Sequence, residues 1–216
     1  MATKPILYVL FIALFLGTVL KVGAQRKNYA PIWSFHQESA NIHGLSVGLF
    51  SWMTDERKVR TNGVRVEIIG GGLFLLFIPD VPTLKSDSAY QAELAMPLSE
   101  RINGVNISGL GSLCDCQVNG VTLGLIGHYN RSVRGVSLAL AVNIHQQVRG
   151  VQAALWNYSY QTDGLQLGML NSAERVNGLQ LGAFNFTEDL NGFQIGLWNR
   201  NERRSLPFIN WSFGKN

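Results

Sequence analysis

The chain has few charged residues and no strong excess of either sign. Charged side chains make up 15% of the 216 residues, with 18 basic and 14 acidic ones, whereas about 25% is usual in globular domains. The small positive excess is spread along the chain, which argues against the basic stripe of a nucleic-acid-binding protein. Beyond residue 24 the most apolar stretch is 70–78, and it is too short for a helical membrane span of about 20 residues.

The chain also lacks the motifs of catalytic and cofactor sites. It contains no Gly-rich phosphate loop and no nucleophile–base signature. Its histidines are scattered and do not show the spacing of metal ligands; they are His36, His43, His128 and His145. The sequence therefore predicts a non-enzymatic protein that has no cofactor and no metal.

Cysteine is scarce: Cys114 and Cys116 are the only two. On an extended strand, residues two apart share a face with about 6.6 Å between their Cα atoms, near the upper limit for a disulfide. A disulfide and two small buried thiols are both compatible with this spacing. A metal site would need more ligands, and His128 is the one nearby candidate.

Residues 1–24 are predicted to form a secretory signal peptide. Lys4 supplies a positive charge, residues 6–16 form an apolar run, and Val22-Gly23-Ala24 is a small-residue cleavage pattern before Gln25. The alternative is an uncleaved membrane anchor, for which the apolar run is short. We therefore expect an exported protein, located in the periplasm, the outer membrane, the cell surface or the medium.

A 14-residue repeat dominates the second half of the chain. Such self-similarity is typical of repeat architectures. The four clearest copies run from a glycine to an asparagine: 150–157 (GVQAALWN), 164–171 (GLQLGMLN), 178–185 (GLQLGAFN) and 192–199 (GFQIGLWN). Weaker copies begin at Gly44, Gly63, Gly104, Gly120 and Gly135.

The repeat alternates aliphatic and polar or small residues. If each copy is numbered from its glycine, positions 2, 4 and 6 are aliphatic, whereas positions 3 and 5 are mostly Gln and Gly. A period of two predicts a β-strand, and we expect its aliphatic side chains, such as Leu165, Leu167, Leu179 and Leu181, to face the core. Replacing Leu167 and Leu181 with aspartate is then expected to unfold the array.

We predict an all-β fold, a parallel β-solenoid with about 14–16 residues per turn. Stacked parallel turns lie about 4.8 Å apart and would align identical amides into stabilising ladders. The alternative is an antiparallel meander or barrel, in which identical positions would not meet. The two expected ladders are Gln152, Gln166, Gln180 and Gln194, and Asn157, Asn171, Asn185 and Asn199.

Position 7 carries Trp156, Phe184 and Trp198. With the Gln column, these rings form a candidate flat binding face (Gln152, Trp156, Gln166, Gln180, Phe184, Gln194 and Trp198) for envelope glycans or surface proteins. The alternative is that the rings pack at a corner of the fold.

Three regions follow the pattern of repeats. After the signal peptide, 25–103 contains degenerate repeats, and a proline-containing insertion at 79–101 includes a segment, 88–96, that forms either a short helix or a loop. Residues 104–216 form the regular β-repeat array with an atypical C-terminal cap.

The phrase GLQLG followed by an aromatic or aliphatic residue and Asn resembles the repeats of bacterial surface-repeat proteins. The closing segment 197–211 (LWNRNERRSLPFINW) is similar to the ending of a group of such proteins from Bacteroidota. The resemblance covers about 44–78 and 104–213. It implies an exported or surface-associated protein and supplies no catalytic residues.

We therefore expect an exported, non-enzymatic protein of the bacterial cell envelope or surface, acting as a structural or adhesion-type binding surface. Two alternatives remain open at this stage. One is a small outer-membrane β-barrel or pore, and the other is a polysaccharide-active envelope enzyme. Membrane association through something other than a mature transmembrane helix is compatible with the sequence.

Overall fold

A computed structural model describes residues 26–52, 57–77 and 86–214. The predicted signal peptide and part of the proline-containing insertion lie outside these residues. No helix in the described ranges is long and apolar enough to span a membrane.

The described chain is a parallel β-solenoid of about 10 turns with about 15 residues per turn, as predicted. Twelve strands form one sheet in which the neighbours from β3 to β11 are parallel. The strands are β1 (Lys27–Tyr29), β2 (Ile32–Ser34), β3 (Ala40–Gly48), β4 (Val59–Glu67), β5 (Glu100–Ser108), β6 (Leu113–Gly124), β7 (Gly127–Ala139), β8 (Val142–Ala153), β9 (Trp156–Leu167), β10 (Leu170–Leu181), β11 (Phe184–Arg200) and β12 (Ser205–Ser212).

The alternative antiparallel meander or barrel is not observed in the described ranges, where only β12 pairs in the antiparallel direction, with β11. In β9, β10 and β11 each paired residue lies opposite the residue 14 positions away, so that Gly164, Gly178 and Gly192 lie over one another. The degenerate repeats join the same stack, since β3, β4 and β5 are paired in register through Gly44, Gly63 and Gly104.

The glycine that begins each repeat is required by the backbone. The nine position-1 glycines have φ between 115° and 146°, a region that side chains with a Cβ rarely adopt. A Cβ on Gly164 would lie 2.1 Å from the carbonyl oxygen of Gly150 in the turn before it. The column of glycines therefore permits the bend and the close stacking of turns.

The Gln ladder forms, and it fills the interior of the solenoid. The side-chain Nε2 of Gln180 donates to Oε1 of Gln166 at 2.7 Å, and Gln194 donates to Gln180 at 2.7 Å. Each Gln also donates across the interior to the carbonyl six residues later, as Gln180 does to Phe186 at 3.2 Å. All four predicted Gln side chains have no exposed surface.

The Asn ladder forms at the corner, as predicted. Nδ2 of Asn157 donates to Asn171 at 2.9 Å, Asn171 to Asn185 at 2.8 Å, and Asn185 to Asn199 at 2.7 Å. The four side chains are fully buried. A Cβ at Gly168 would lie 2.6 Å from Nδ2 of Asn157, so the glycine at position 5 makes room for this column.

The predicted inward orientation of positions 2, 4 and 6 is wrong. Leu167 is 46% exposed and Met169 is 59% exposed, whereas Gln166 between Leu165 and Leu167 is buried. Because side chains alternate along a strand, placing the Gln column inside forces the aliphatic residues outside. The expectation that aspartate at Leu167 and Leu181 unfolds the array therefore loses its basis.

The apolar interior is instead supplied by the return segment of each turn, which we define as positions 9 to 14. Val148, Val176 and Leu190, which each stand two residues before the next repeat glycine, are buried, as is Ala173 at position 10. In the N-terminal turns Arg65 takes the place of Gln. Its Nε lies 3.0 Å from Oε2 of Glu100, and its guanidinium lies 4.0 Å from the ring of Phe35.

The insertion contributes a helix, α1 (Asp87–Ala95), which covers part of the return segment. Ser86 caps it by accepting a hydrogen bond from the backbone N–H of Ala89 at 3.3 Å. Tyr90 stacks on Tyr160 with ring centroids 4.3 Å apart. The insertion thus packs onto the solenoid and forms the helix allowed by its sequence.

Substitutions at two neighbouring residues can test which side of the strand faces the interior. Gln180→Leu leaves Oε1 of Gln166 and the carbonyl of Phe186 without their donor, at about 1–3 kcal/mol for each buried unsatisfied group. Leu181→Gln adds an amide at a partly exposed position and is expected to change stability by less than about 1 kcal/mol. Urea unfolding followed by circular dichroism measures both. The assignment would be contradicted if Gln180→Leu left the free energy of unfolding unchanged while Leu181→Gln unfolded the protein.

Candidate binding surface

The predicted binding face is not assembled as expected, because its Gln members belong to the interior. Its aromatic members do reach the surface at the corner: Trp156 is 49% exposed, and Phe184 and Trp198 are also exposed. Trp156, Leu170 and Phe184 lie in register in successive turns. The aromatic column is therefore on the surface, next to aliphatic rather than amide side chains.

A continuous apolar face covers one side of the solenoid. We define it by positions 2, 4 and 6 of the nine turns that begin at Gly44 through Gly192, none of which carries a polar or charged side chain. Position 2 holds Leu45, Val64, Val105, Val121, Val136, Val151, Leu165, Leu179 and Phe193; position 4 holds Val47, Val66, Ile107, Leu123, Leu138, Ala153, Leu167, Leu181 and Ile195; position 6 holds Leu49, Ile68, Gly109, Leu125, Leu140, Leu155, Met169, Ala183 and Leu197.

The face is partly or fully accessible along its whole length, since none of these residues is buried. Nine turns at about 4.8 Å spacing extend for roughly 40 Å, and four to five residues across give roughly 13 Å of width. An area of about 500 Å² is at the upper end of the largest apolar patch on a typical monomer, and such patches are often functional.

A shallow apolar groove runs within the face. It has a volume of about 370 Å³ and lies where Ile107, Leu123, Leu125, Leu138 and Leu140 surround the glycines Gly109 and Gly124. An aromatic residue extends the face at its C-terminal end, where Trp211 of β12 pairs with Phe193.

The opposite side of the solenoid is polar. Because each Gln spans the interior from position 3 to the carbonyl at position 9, the outer sides of these two segments point in opposite directions. On the return segment the side chains that point outward include Glu174, Arg175 and Asn177. Arg175 pairs with Asp87 of α1. The cross-section is therefore amphipathic.

Two Ser–His pairs lie within hydrogen-bonding distance, and both are buried. Oγ of Ser112 lies 2.8 Å from Nδ1 of His128, and Oγ of Ser137 lies 2.9 Å from Nε2 of His145, but all four residues have no exposed surface. Neither pair can contact a substrate in this conformation. Among the described residues, no three His, Cys, Asp or Glu side chains group to hold a metal ion.

Cys114 and Cys116 form a disulfide, with 5.2 Å between their Cα atoms. Both residues are fully buried. The Cα distance is shorter than the 6.6 Å of a regular strand because the register between β6 and β7 shifts between Cys114 and Gln117. The bridge is therefore an internal element of the turn and not part of the accessible surface.

Comparison of the chain with protein-family models, curated proteins and solved structures gave no match.

The buried histidines predict a loss of stability in mild acid. Burial lowers the pKa of His128 to about 4 and that of His145 to about 3, below the ordinary value of about 6.5. At pH values between the lowered pKa values and about 6.5, the unfolded chain therefore binds more protons than the folded chain. The free energy of unfolding falls as the pH decreases below about 6.5.

His128 is in register with Asn143 of the next turn, which is itself in register with Asn157. His128→Asn is expected to reduce the loss of stability between about pH 7.5 and about pH 4.5, measured by urea unfolding at both pH values. His43→Asn, at an exposed position, is the matched control. Equal losses in His128→Asn and the parent would contradict the assignment.

Proposed function

We propose that the protein is an exported, non-enzymatic component of the bacterial cell envelope that attaches to a lipid surface through its apolar face. In this role it acts as a structural or binding scaffold that presents its polar side to the surroundings. The observation that carries the proposal is the absence of polar and charged side chains from 27 positions in nine stacked turns.

Lipid is the occupant that best fits the chemistry of the face. Burying apolar surface is favourable by about 25 cal/mol per Å², so about 500 Å² corresponds to roughly 12 kcal/mol before the costs of immobilisation. The groove between Ile107 and Leu140 has apolar walls suited to an acyl chain. Trp156 and Trp198 along the corner suit the boundary between lipid and water, where tryptophan is enriched.

The amphipathic cross-section also matches a protein that lies flat on a bilayer. Interfacial binding generally needs an apolar side buried by about 5–10 Å and a polar side left in water. The return segment and α1 supply that polar side. Export, which the N-terminal sequence predicts, would bring the protein to the envelope, and the resemblance to surface-repeat proteins is consistent with the same location.

Attachment can be tested by flotation with phosphatidylethanolamine–phosphatidylglycerol vesicles, using the exported protein purified from its expression host. Leu123→Glu with Leu138→Glu places two charges in neighbouring turns of the face. This variant is expected to stay folded, because both residues point outward, and to lose binding by at least about tenfold.

Asn177→Glu with Ser205→Glu is the matched control, since it adds the same charge at two exposed positions off the face. The control should float like the parent. Light scattering without lipid tests a second copy as the alternative occupant: a stable dimer that only the Leu123→Glu, Leu138→Glu variant dissociates would overturn the lipid assignment. So would undiminished flotation of that variant.

A further inference from the structure

A groove of about 560 Å³ lies on the polar side, between the C-terminal end of α1 and the return segments of β4 to β8. It is separate from the apolar face. Val59, Leu94, Met96 and Leu98 contribute apolar walls, and none of the lining residues within the described ranges is acidic. Seven cationic side chains line it: Arg26, Lys58, Arg60, Arg101, Arg131, Arg134 and Arg149.

Most of this charge is uncompensated. Arg131 forms ion pairs with Asp115 and Glu93. It also donates hydrogen bonds to the carbonyls of Met96 and Pro97 and so holds the segment after α1 against the solenoid. Nε of Arg149 lies 3.6 Å from Asp163. Within the described ranges the other five cations have no ion pair.

The arginines are also stacked on one another. Arg60 of β4 is in register with Arg101 of β5, and Arg134 of β7 is in register with Arg149 of β8. Like charges directly opposite in adjacent strands are destabilising. Elsewhere on this surface, in-register residues are complementary, as in the amide pair Asn119 and Asn103, where Nδ2 donates to Oδ1 at 2.7 Å.

The side chain of Arg60 gives a second indication that the groove holds a ligand. Its Nε is buried and has no hydrogen-bond partner, which costs free energy unless a ligand accepts that hydrogen bond. Neither the stacking of cations nor this unsatisfied donor is required by the fold, because other turns place neutral residues such as Gln117 and Gln161 at the same position. A bound anion would relieve both.

We propose that this groove binds an acidic oligosaccharide that runs across the turns. From Arg60 in β4 to Arg149 in β8 the cations span four strand spacings, roughly 19 Å, which suits several anionic groups in a chain better than one small anion. Gln117, Ser132 and Gln147 lie among them and supply hydrogen bonds to hydroxyl groups. The described part of the lining contains no aromatic ring, so it does not supply the stacking platform that is typical of single-stranded nucleic-acid sites.

The probe for this site is a heparin hexasaccharide, titrated into the purified protein at low salt and followed by calorimetry. Arg60→Gln with Arg101→Gln is expected to weaken binding by at least about tenfold, and added salt should weaken binding of the parent. The same variant is expected to unfold at the parental urea concentration or above it, because a like-charge pair has been removed.

Arg200→Gln with Arg203→Gln is the matched control, because it removes the same charge from exposed positions far along the stack. It should bind within about twofold of the parent. Maltohexaose, which is neutral, should not bind. The Leu123→Glu, Leu138→Glu variant should keep full affinity, which separates this site from lipid attachment.

Four results would overturn the proposal. They are no binding of the hexasaccharide, equal losses in the control variant, tighter binding of a thymidine decanucleotide than of the hexasaccharide, and displacement of the hexasaccharide by inorganic phosphate at an equal concentration. The last result would identify a site for a single anion.

Discussion

The hydrogen-bonded amide ladder is the constraint on which the rest of this solenoid depends. Gln166, Gln180 and Gln194 each donate one hydrogen to the Gln of the previous turn. Each also donates to a carbonyl on the opposite wall, as Gln194 does to Arg200. The interior is therefore only as wide as one Gln side chain. Because the pair of bonds fixes both the stacking register and the thickness, it leaves no room for a conventional layer of large aliphatic residues at position 3.

The outward placement of the aliphatic residues follows from this ladder. Here the strands bury their polar face. The Gln and Asn side chains of the two ladders are hydrogen-bonded, which removes most of the cost of burying amides. The stability that a larger apolar core would give is supplied in part by the small clusters of the return segment, such as Ala173, Val176 and Leu190. The apolar face is then available for a partner.

The sequence was sufficient to predict the period, the parallel stacking and both amide ladders, because each depends on identical residues recurring at a fixed interval. It was not sufficient to predict which side of the strand is inside, since alternation shows only that two faces differ. The general preference for apolar interiors led to the wrong prediction that the aliphatic side chains face the core. A signal was present: Gln recurs unchanged at position 3 of four copies, whereas position 2 varies from Val151 to Phe193, as a surface allows and a narrow interior does not.

The candidate sites were less predictable than the fold. The exposure of Trp156, Phe184 and Trp198 agreed with the prediction. The Gln side chains that were predicted beside them are buried, and aliphatic side chains lie there instead. The cationic groove was not foreseeable because its residues are scattered between Arg26 and Arg149 in the sequence and meet only through the stacking of degenerate turns with α1. These early turns lack the regular motif, so the periodicity that revealed the fold gave no guide to them.

The C-terminal end of the stack differs from the regular turns before it, and this difference determines where further turns could be added. At the C-terminal end β12 reverses direction, and Asn210 donates to Gln194 at 3.1 Å, which satisfies the last acceptor of the ladder. The C-terminal end is thus specialised, whereas the turns from β9 to β11 are interchangeable in register. Duplication of one 14-residue segment among these turns would lengthen the stack by one turn and extend the apolar face by about 4.8 Å at an unchanged width. The extent of that face is thereby set by repeat number, a quantity that unequal recombination alters in whole steps without disturbing either terminus.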